Sequence, residues 1–394
     1  MPVVTSFRAT GVLLVLLGLW GAFSTPALAA DAVEVNAPYA ILMDAATGAV
    51  LYEKDADAQT PPASMSKLMT LAVVFRALKE GRIKFEEEYT VSANAVKKGG
   101  DRSGATTMFM PLNSSVRVAE LVSGIAVVSA NDACIVIAEG MAGSEAAFAE
   151  LMQQQGKDLG FTKAHFTNPT GLPSPDQTMS VRELAILAQH LITEYPEYYS
   201  YFAQRNLSAN GKLLLNKNPL LTASLGVDGL KTGASADGGL GIVASALNDN
   251  RRLIVVLNGE KGESDRSADA KKLFDYGTKA FKEATVFDPG EIISEARVWG
   301  GSRYFVPLVS EGAAHIIVPR GSTGTGRLKA SLVYQGPLKA PVKKGDFVGY
   351  LRVESTEGII SKVPLFAAMD VPKSGVLARG LDSILVLSLG WALK

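Results

Sequence analysis

The hydrophobic pattern changes character at Asp288-Pro289-Gly290, and this change limits the folds open to the chain. Upstream, stretches of helical period alternate with short strand-like runs. Residues 66–79 place Leu68, Leu71, Ala72, Phe75 and Leu78 at helical spacing and end at Gly81. Residues 119–140 read as one or two buried helices. Residues 145–159, 181–195 and 265–282 read as three more, the last with Leu273, Phe274, Gly277 and Phe281 inward. Residues 39–44 and 49–53 form a hairpin signal across Ala46-Thr47-Gly48. Residues 228–233 are a strand candidate, and 241–247 pairs with 253–258 across Asn248-Asp249-Asn250. Downstream, 292–367 holds only short alternating runs (304–308, 314–318, 330–334, 347–353) rich in Val, Ile, Tyr, Gly and Pro. The expectation is a mixed α/β domain at 31–286, a β-rich domain at 287–372 and a terminal helix.

Both ends of the chain stand apart. Residues 1–30 read as a secretory signal peptide: Arg8 supplies the positive start, 11–23 the apolar stretch, and Ala27-Leu28-Ala29 the small-x-small cleavage pattern. The apolar stretch is shorter than the roughly 20 residues of a membrane-spanning helix; the other reading is a retained anchor. Residues 375–394 (GVLARGLDSILVLSLGWALK) gather Leu377, Leu381, Ile384, Leu385, Trp391 and Ala392 on one helical face, with Arg379, Asp382, Gly390 and Lys394 opposite. That pattern suits an amphipathic helix lying in a membrane surface, or a helix packed on its own domain.

Composition removes other classes. The 39 basic and 39 acidic residues balance, so there is no basic footprint for nucleic acid. One Cys forms no intramolecular disulfide, and the three His lie far apart, so neither a Cys cluster nor a His-based metal site is expected. Cys134 sits in an apolar run and reads as a core thiol; His190 reads as a helix-face residue. Gly321–Arg327 (GSTGTGR) lacks the Lys-[Ser/Thr] of a phosphate loop and reads as a turn.

The chemistry is concentrated in three short motifs. Ser64 and Lys67 lie three residues apart at a helix start, close enough for the Lys to activate the Ser. Pro61-Pro62 puts Ser64 at the helix N-terminus, where a free N–H can serve as an oxyanion donor. Ser129-Ala130-Asn131 follows between apolar segments, and Lys231-Thr232-Gly233 on the strand candidate. Each alone is an ordinary cap, loop or strand; in this order they form one catalytic pattern.

With them, the chain resembles the serine-type D-Ala-D-Ala carboxypeptidases, low-molecular-mass penicillin-binding proteins of the penicillin-binding protein 5/6 kind. The likeness extends to residues 44–52 (DAATGAVLY), Asn131-Asp132-Ala133-Cys134, His165–Leu172 (HFTNPTGL) and 227–233 (VDGLKTG). It departs at Ala130, where the family often has Gly, and at Ala234-Ser235, where a His often stands. The resemblance implies a β-lactamase/transpeptidase-like fold, a following β domain, and no cofactor or metal. It implies Ser64 as nucleophile, Lys67 as general base and Ser129 as proton relay. Asn131 would bind the substrate amide, and the N–H groups of Ser64 and Ala234 would form the oxyanion hole. Lys231, Thr232 and Gly233 would form the strand that receives the terminal carboxylate, with Arg266 nearby; Arg266 reads equally as a surface residue in a helix's first turn. The implied partners are the peptidoglycan pentapeptide, β-lactams that acylate Ser64, and a membrane surface met by residues 375–394 in the periplasm; no oligomeric state is specified. The alternatives are a β-lactamase, which would need a carboxylate base (no Glu-x-x-Leu-Asn lies between Asn131 and Lys231), a DD-endopeptidase, or a catalytically idle wall-binding protein.

Overall fold

A computed structural model describes residues 33–321, 328–355 and 358–375, together with the strand Val3–Ser6 and Asp382. The remainder of the signal segment, most of the Gly321–Arg327 turn and the terminal helix apart from Asp382 lie outside the described residues. The chain divides into two compact units, one of residues 33–46 and 50–277, the other chiefly of residues 278–394.

The first unit is built on an antiparallel sheet of five strands. In chain order these are β1 (Tyr39–Asp44), β2 (Val50–Lys54), β3 (Val227–Ser235), β4 (Gly239–Asn248) and β5 (Arg251–Glu260), arranged β2-β1-β5-β4-β3. The central strands β4 and β5 each bury six consecutive residues. Strands buried on both faces lose the usual inside–outside alternation, which explains their continuous apolar runs. The longer helices that accompany the sheet are α1 (Lys67–Lys79), α2 (Asn131–Ala142), α3 (Glu145–Asp158), α4 (Val181–Glu194) and α5 (Glu263–Ala280). Ten of the thirteen residues of α1 are buried, so it is a core helix and the residues at its start are fixed by packing on all sides. Ser180 opens α4 with a reciprocal capping box to Glu183. Cys134 is buried in the core, where burial pushes its thiol up to about 12. His190 lies on α4 beside Gln155 and edge-on to Tyr195.

The expected helix through residue 282 is corrected at its end. It stops at Ala280, and Phe281 opens a strand, Phe281–Phe287, paired with Ala314–Pro319. Phe281 is buried as expected, but from a strand: pairing with a partner more than thirty residues away overrides the local helical pattern.

The second unit is β-rich. Strands Lys329–Tyr334, Phe347–Glu354, Ile360–Ala367, Phe305–Val309 and Ser294–Trp299 lie side by side in that order. Ile360–Ala367 alternates strictly between buried and exposed positions over most of its length, the signature of a sheet with one wet face. Its core includes Val298, Leu308, Ile316, Leu332, Leu351 and Leu365. Asp382 is buried here, taking hydrogen bonds from the Arg297 guanidinium and from Gly300 N at 2.7 Å. Among the described residues no helix is long and apolar enough to cross a membrane.

Candidate active site

The site is organised by the first turn of α1. Pro62 leads into a short turn, Ala63–Ser66, closed by Met65 N donating to Pro62 O (3.1 Å) and Ser66 Oγ to Ala63 O (3.0 Å). Ala63 has φ +48°, a left-handed conformation costly for a residue with a β-carbon. The turn leaves Ser64 half-buried at its surface while Met65, Ser66 and Lys67 are buried. As a helix start it also supplies N–H groups without intrahelical partners.

Lys67 is fully buried, and its Nζ has three acceptors: Ser64 Oγ at 3.0 Å, Asn131 Oδ1 at 2.7 Å and the carbonyl of Thr170. Three acceptors satisfy an ammonium completely. A neutral amine would keep two of them as partners for its N–H groups and turn its lone pair to the Ser64 hydroxyl. Burial pulls Lys67 down from 10.5 to about 8, which brings the neutral form into reach near neutral pH.

The Thr170 carbonyl is aimed by its own loop. Asn168 Oδ1 accepts from Thr170 N, Thr170 Oγ1 and Gly171 N at 3.1, 2.7 and 2.8 Å. Buried Gln177 accepts from Thr167 N, Thr167 Oγ1 and Asn168 N, each at 3.0 Å. Thr70 Oγ1, one turn along α1 from Lys67, donates to Pro169 O at 2.7 Å. Sequence reasoning gave this loop no role. The available signal was the density of Asn, Pro, Thr and Gly, which marks a side-chain-braced turn.

The second motif lies at a break in a helix. Residues 118–123 are α-helical, Gly124–Val128 widen into a π turn, and Ser129 takes φ +66° before α2 begins at Asn131. Such turns occur frequently at functional sites. Ser129 is buried, and its hydroxyl has no hydrogen bond among the described residues. Asn131 spends Oδ1 on Lys67, leaving Nδ2 without a partner among the described residues. Asp132 braces the break from behind, accepting from Thr107 Oγ1 at 2.6 Å and Met108 N at 3.0 Å.

The third motif lies on β3, which packs on the Ala63–Ser66 turn. A β-carbon built on Gly233 would stand 3.0 Å from Pro62 O and from Met65 Cγ. Lys231 is buried, and its Nζ donates only to Thr232 O, at 3.2 Å, among the described residues. A buried ammonium with one acceptor is under-satisfied and will favour an incoming anion. Burial, then the Lys67 charge, hold Lys231 well below its usual range. Thr232 is buried beside it, and Ala234 is exposed at the end of the motif. The like charge of Lys67 acts on Lys231, while burial is what depresses Lys67. Arg266, in the first turn of α5, is buried, not on the surface, with Nε unpartnered, and its charge contributes to the field at Lys231.

The structure therefore joins Ser64, Lys67 and Asn131 by direct hydrogen bonds and couples Lys231 to Lys67 electrostatically. It can hold an anion at one end, next to a hydroxyl touching an amine that loses its proton near neutral pH.

Comparison with known proteins follows the same division. Residues 26–261 match a family model described as D-alanyl-D-alanine carboxypeptidase, and residues 281–373 one described as penicillin-binding protein 5, C-terminal domain. D-alanyl-D-alanine carboxypeptidase DacC of Escherichia coli is 36% identical over 364 residues, 92% of this chain and 90% of its own. DacA of the same organism is 33% identical, covering 91% and 89%. The crystal structure of penicillin binding protein 5 from Haemophilus influenzae is similar with a TM-score of 0.72 at 33% identity, covering 86% of this chain and 99% of its own. Penicillin-binding protein D2 from Listeria monocytogenes, in a cefotaxime-bound form, matches over 63% of this chain and 99% of its own with a TM-score of 0.54 at 26% identity.

Proposed function

The chain belongs to the D-alanyl-D-alanine carboxypeptidase family, of the penicillin-binding protein 5/6 type, and from that membership we propose how its own residues carry out the serine-type reaction. The observation that carries the assignment is the 3.0 Å contact between the buried Lys67 Nζ and the half-buried Ser64 Oγ. The substrate's terminal carboxylate meets Lys231, assisted by Thr232 and Arg266, and restores the ammonium that burial disfavours. The scissile carbonyl rests against the N–H groups of Ser64 and Ala234. Asn131 Nδ2 donates to the substrate amide.

Neutral Lys67 takes the Ser64 proton as Oγ attacks the carbonyl carbon. The developing oxyanion is stabilised by the two N–H groups. On collapse, the C–N bond breaks, Ser129 passes a proton to the leaving amine, and D-alanine departs from an acyl-enzyme. Water then attacks that ester, with Lys67 again as base, and frees Ser64. Penicillins enter as mimics of the D-Ala-D-Ala carbonyl and acylate the same oxygen. The β-lactamase reading is disfavoured by Lys67's surroundings: among the described residues its partners are a hydroxyl, an amide oxygen and a backbone carbonyl, with no carboxylate to drive rapid deacylation.

D-alanine release from a peptide ending in Lys-D-Ala-D-Ala tests this directly. Wild-type protein is expected to release D-alanine, and Ser64→Ala to release none. Equal release by the two would assign the nucleophile elsewhere.

We also propose export to the periplasm and peripheral attachment to the membrane through residues 375–394. The apolar helical face lies opposite Asp382 in the sequence pattern. Holding Asp382 on the β-rich unit would leave that face for lipid. Protein lacking 375–394 is expected in the soluble fraction, and full-length protein with membranes; retention of the truncated form on membranes would overturn the anchor.

A further inference from the structure

Next to the Ser64 turn, in the same unit, lies a cavity of about 400 Å³ that the reaction above does not use. Pro62 and Ala63 form one wall, Leu172 and Pro173 a second, and Ser235 at the end of β3 and Asp237 just past it close it. The walls are largely apolar. Asp237 is the only charged residue lining it, and no cation lines it. Asp237 is exposed and has no hydrogen bond or ion pair among the described residues. It is carried on a braced turn, in which Gly238 N donates to Ser235 Oγ at 2.9 Å.

On the substrate placement proposed above, an extended peptide runs past this cavity. With the terminal carboxylate at Lys231 and the scissile carbonyl at Ala234, the peptide lies along β3. At about 3.3 Å per residue, the residue before D-Ala-D-Ala falls alongside Ser235–Asp237. An aliphatic side chain ending in an ammonium matches both features there: its methylenes cover the proline and leucine walls while its charge stays in water beside the carboxylate.

We infer that Asp237 is a specificity-determining residue for this reaction: from the edge of the cavity it favours, at the residue preceding D-Ala-D-Ala, a side chain ending in a primary amine. This rests on the carboxypeptidase reading and adds to it a residue that reads the substrate's third position from the C-terminus.

The test compares kcat/KM for two acylated peptides, one ending in Lys-D-Ala-D-Ala and one in Nε-acetyl-Lys-D-Ala-D-Ala, with full-length wild type, Asp237→Asn, Asp237→Glu and Asp237→Lys. The wild type is expected to favour the free amine by about two- to fivefold, the range of a solvent-exposed ion pair. Asp237→Glu should retain that preference, Asp237→Asn should erase it without slowing the acetylated peptide, and Asp237→Lys should reverse it. Added salt should shrink it. A merely structural role for Asp237 would slow both peptides alike and overturn the proposal, as would a preference surviving in Asp237→Asn. Penicillin labelling of Ser64, measured in parallel, separates the two levels. Labelling with D-alanine release from both peptides at equal rates sinks the subsite alone, whereas labelling without release from either sinks the parent activity and the subsite together.

Discussion

Acylation of Ser64 by a penicillin is expected to rise about tenfold per pH unit on the acid side of pH 8 and to level off above it, and Lys67→Met is expected to lower its rate by about 10²–10⁴-fold and remove the slope. The direction follows from which form of Lys67 works. A general base must be neutral, and burial sets the change of form at about 8. Below that value the neutral fraction falls tenfold with each pH unit; above it nearly all molecules carry the amine. Labelled-penicillin incorporation followed against pH reads the profile. A slope that persists in Lys67→Met would place the working base elsewhere.

The same burial bears on stability. Between pH 8 and 10.5 the unfolded chain keeps a proton on this lysine that the folded chain has released. The unfolded state therefore binds more protons, and stability rises with pH across this window, by about 3 kcal/mol at roughly 1.4 kcal/mol per pH unit. Below pH 8 that contribution is absent. The fold thus carries a buried amine at a cost in stability at neutral pH, a common pattern where a site must hold a reactive group in an unfavourable state.

What the sequence disclosed about this site depended on the kind of atom involved. Ser64 and Lys67 were legible because helical geometry fixes residues three apart on one face. Lys231 could be placed on a strand, but its approach to Lys67 is a tertiary fact. The third partner of Lys67 was not legible at all. It is a backbone carbonyl, and its direction is set by the Asn168 and Gln177 side chains bracing a loop whose letters show only that a turn exists. The π turn at Gly124–Val128 was hidden for a similar reason: GIAVV reads as ordinary buried helix, and the widening appears only through the Ser129 backbone that it delivers. Arg266 read equally as a surface residue because a charge in a helix's first turn gives no sign of what packs over it. At fold level the change of period at Asp288-Pro289-Gly290 pointed to a β-rich region after a mixed one, but the β-rich unit begins earlier, at Thr278. The strand Phe281–Phe287 escaped because Phe281 prolongs the apolar stripe of α5.

Gly171→Ala is expected to destabilise the protein by about 2–4 kcal/mol and to slow penicillin acylation at least about a hundredfold. Gly171 has φ +73°, and a β-carbon there would lie 2.1 Å from Ala63 O and 2.6 Å from Ser66 Oγ. Neither neighbour is the free end of a flexible side chain. Ala63 is itself held at φ +48° immediately before Ser64, and Ser66 Oγ is engaged with the Ala63 carbonyl. If the α1 turn yields, Ser64 moves; if the loop yields, the Thr170 carbonyl leaves Lys67. Either response misplaces one member of the Ser64–Lys67 pair, so stability and activity should fall together. Gly160→Ala supplies the control. Its φ is +80°, but nothing lies within 4 Å of the added carbon, so it should show only the left-handed backbone penalty of about 1–2 kcal/mol and near-normal acylation. Denaturant unfolding and acylation rates on both variants separate the two contributions. Equal losses in Gly171→Ala and Gly160→Ala would mean that the backbone angle alone requires glycine at 171, and that the contact between the loop and the Ser64 turn does not position the nucleophile.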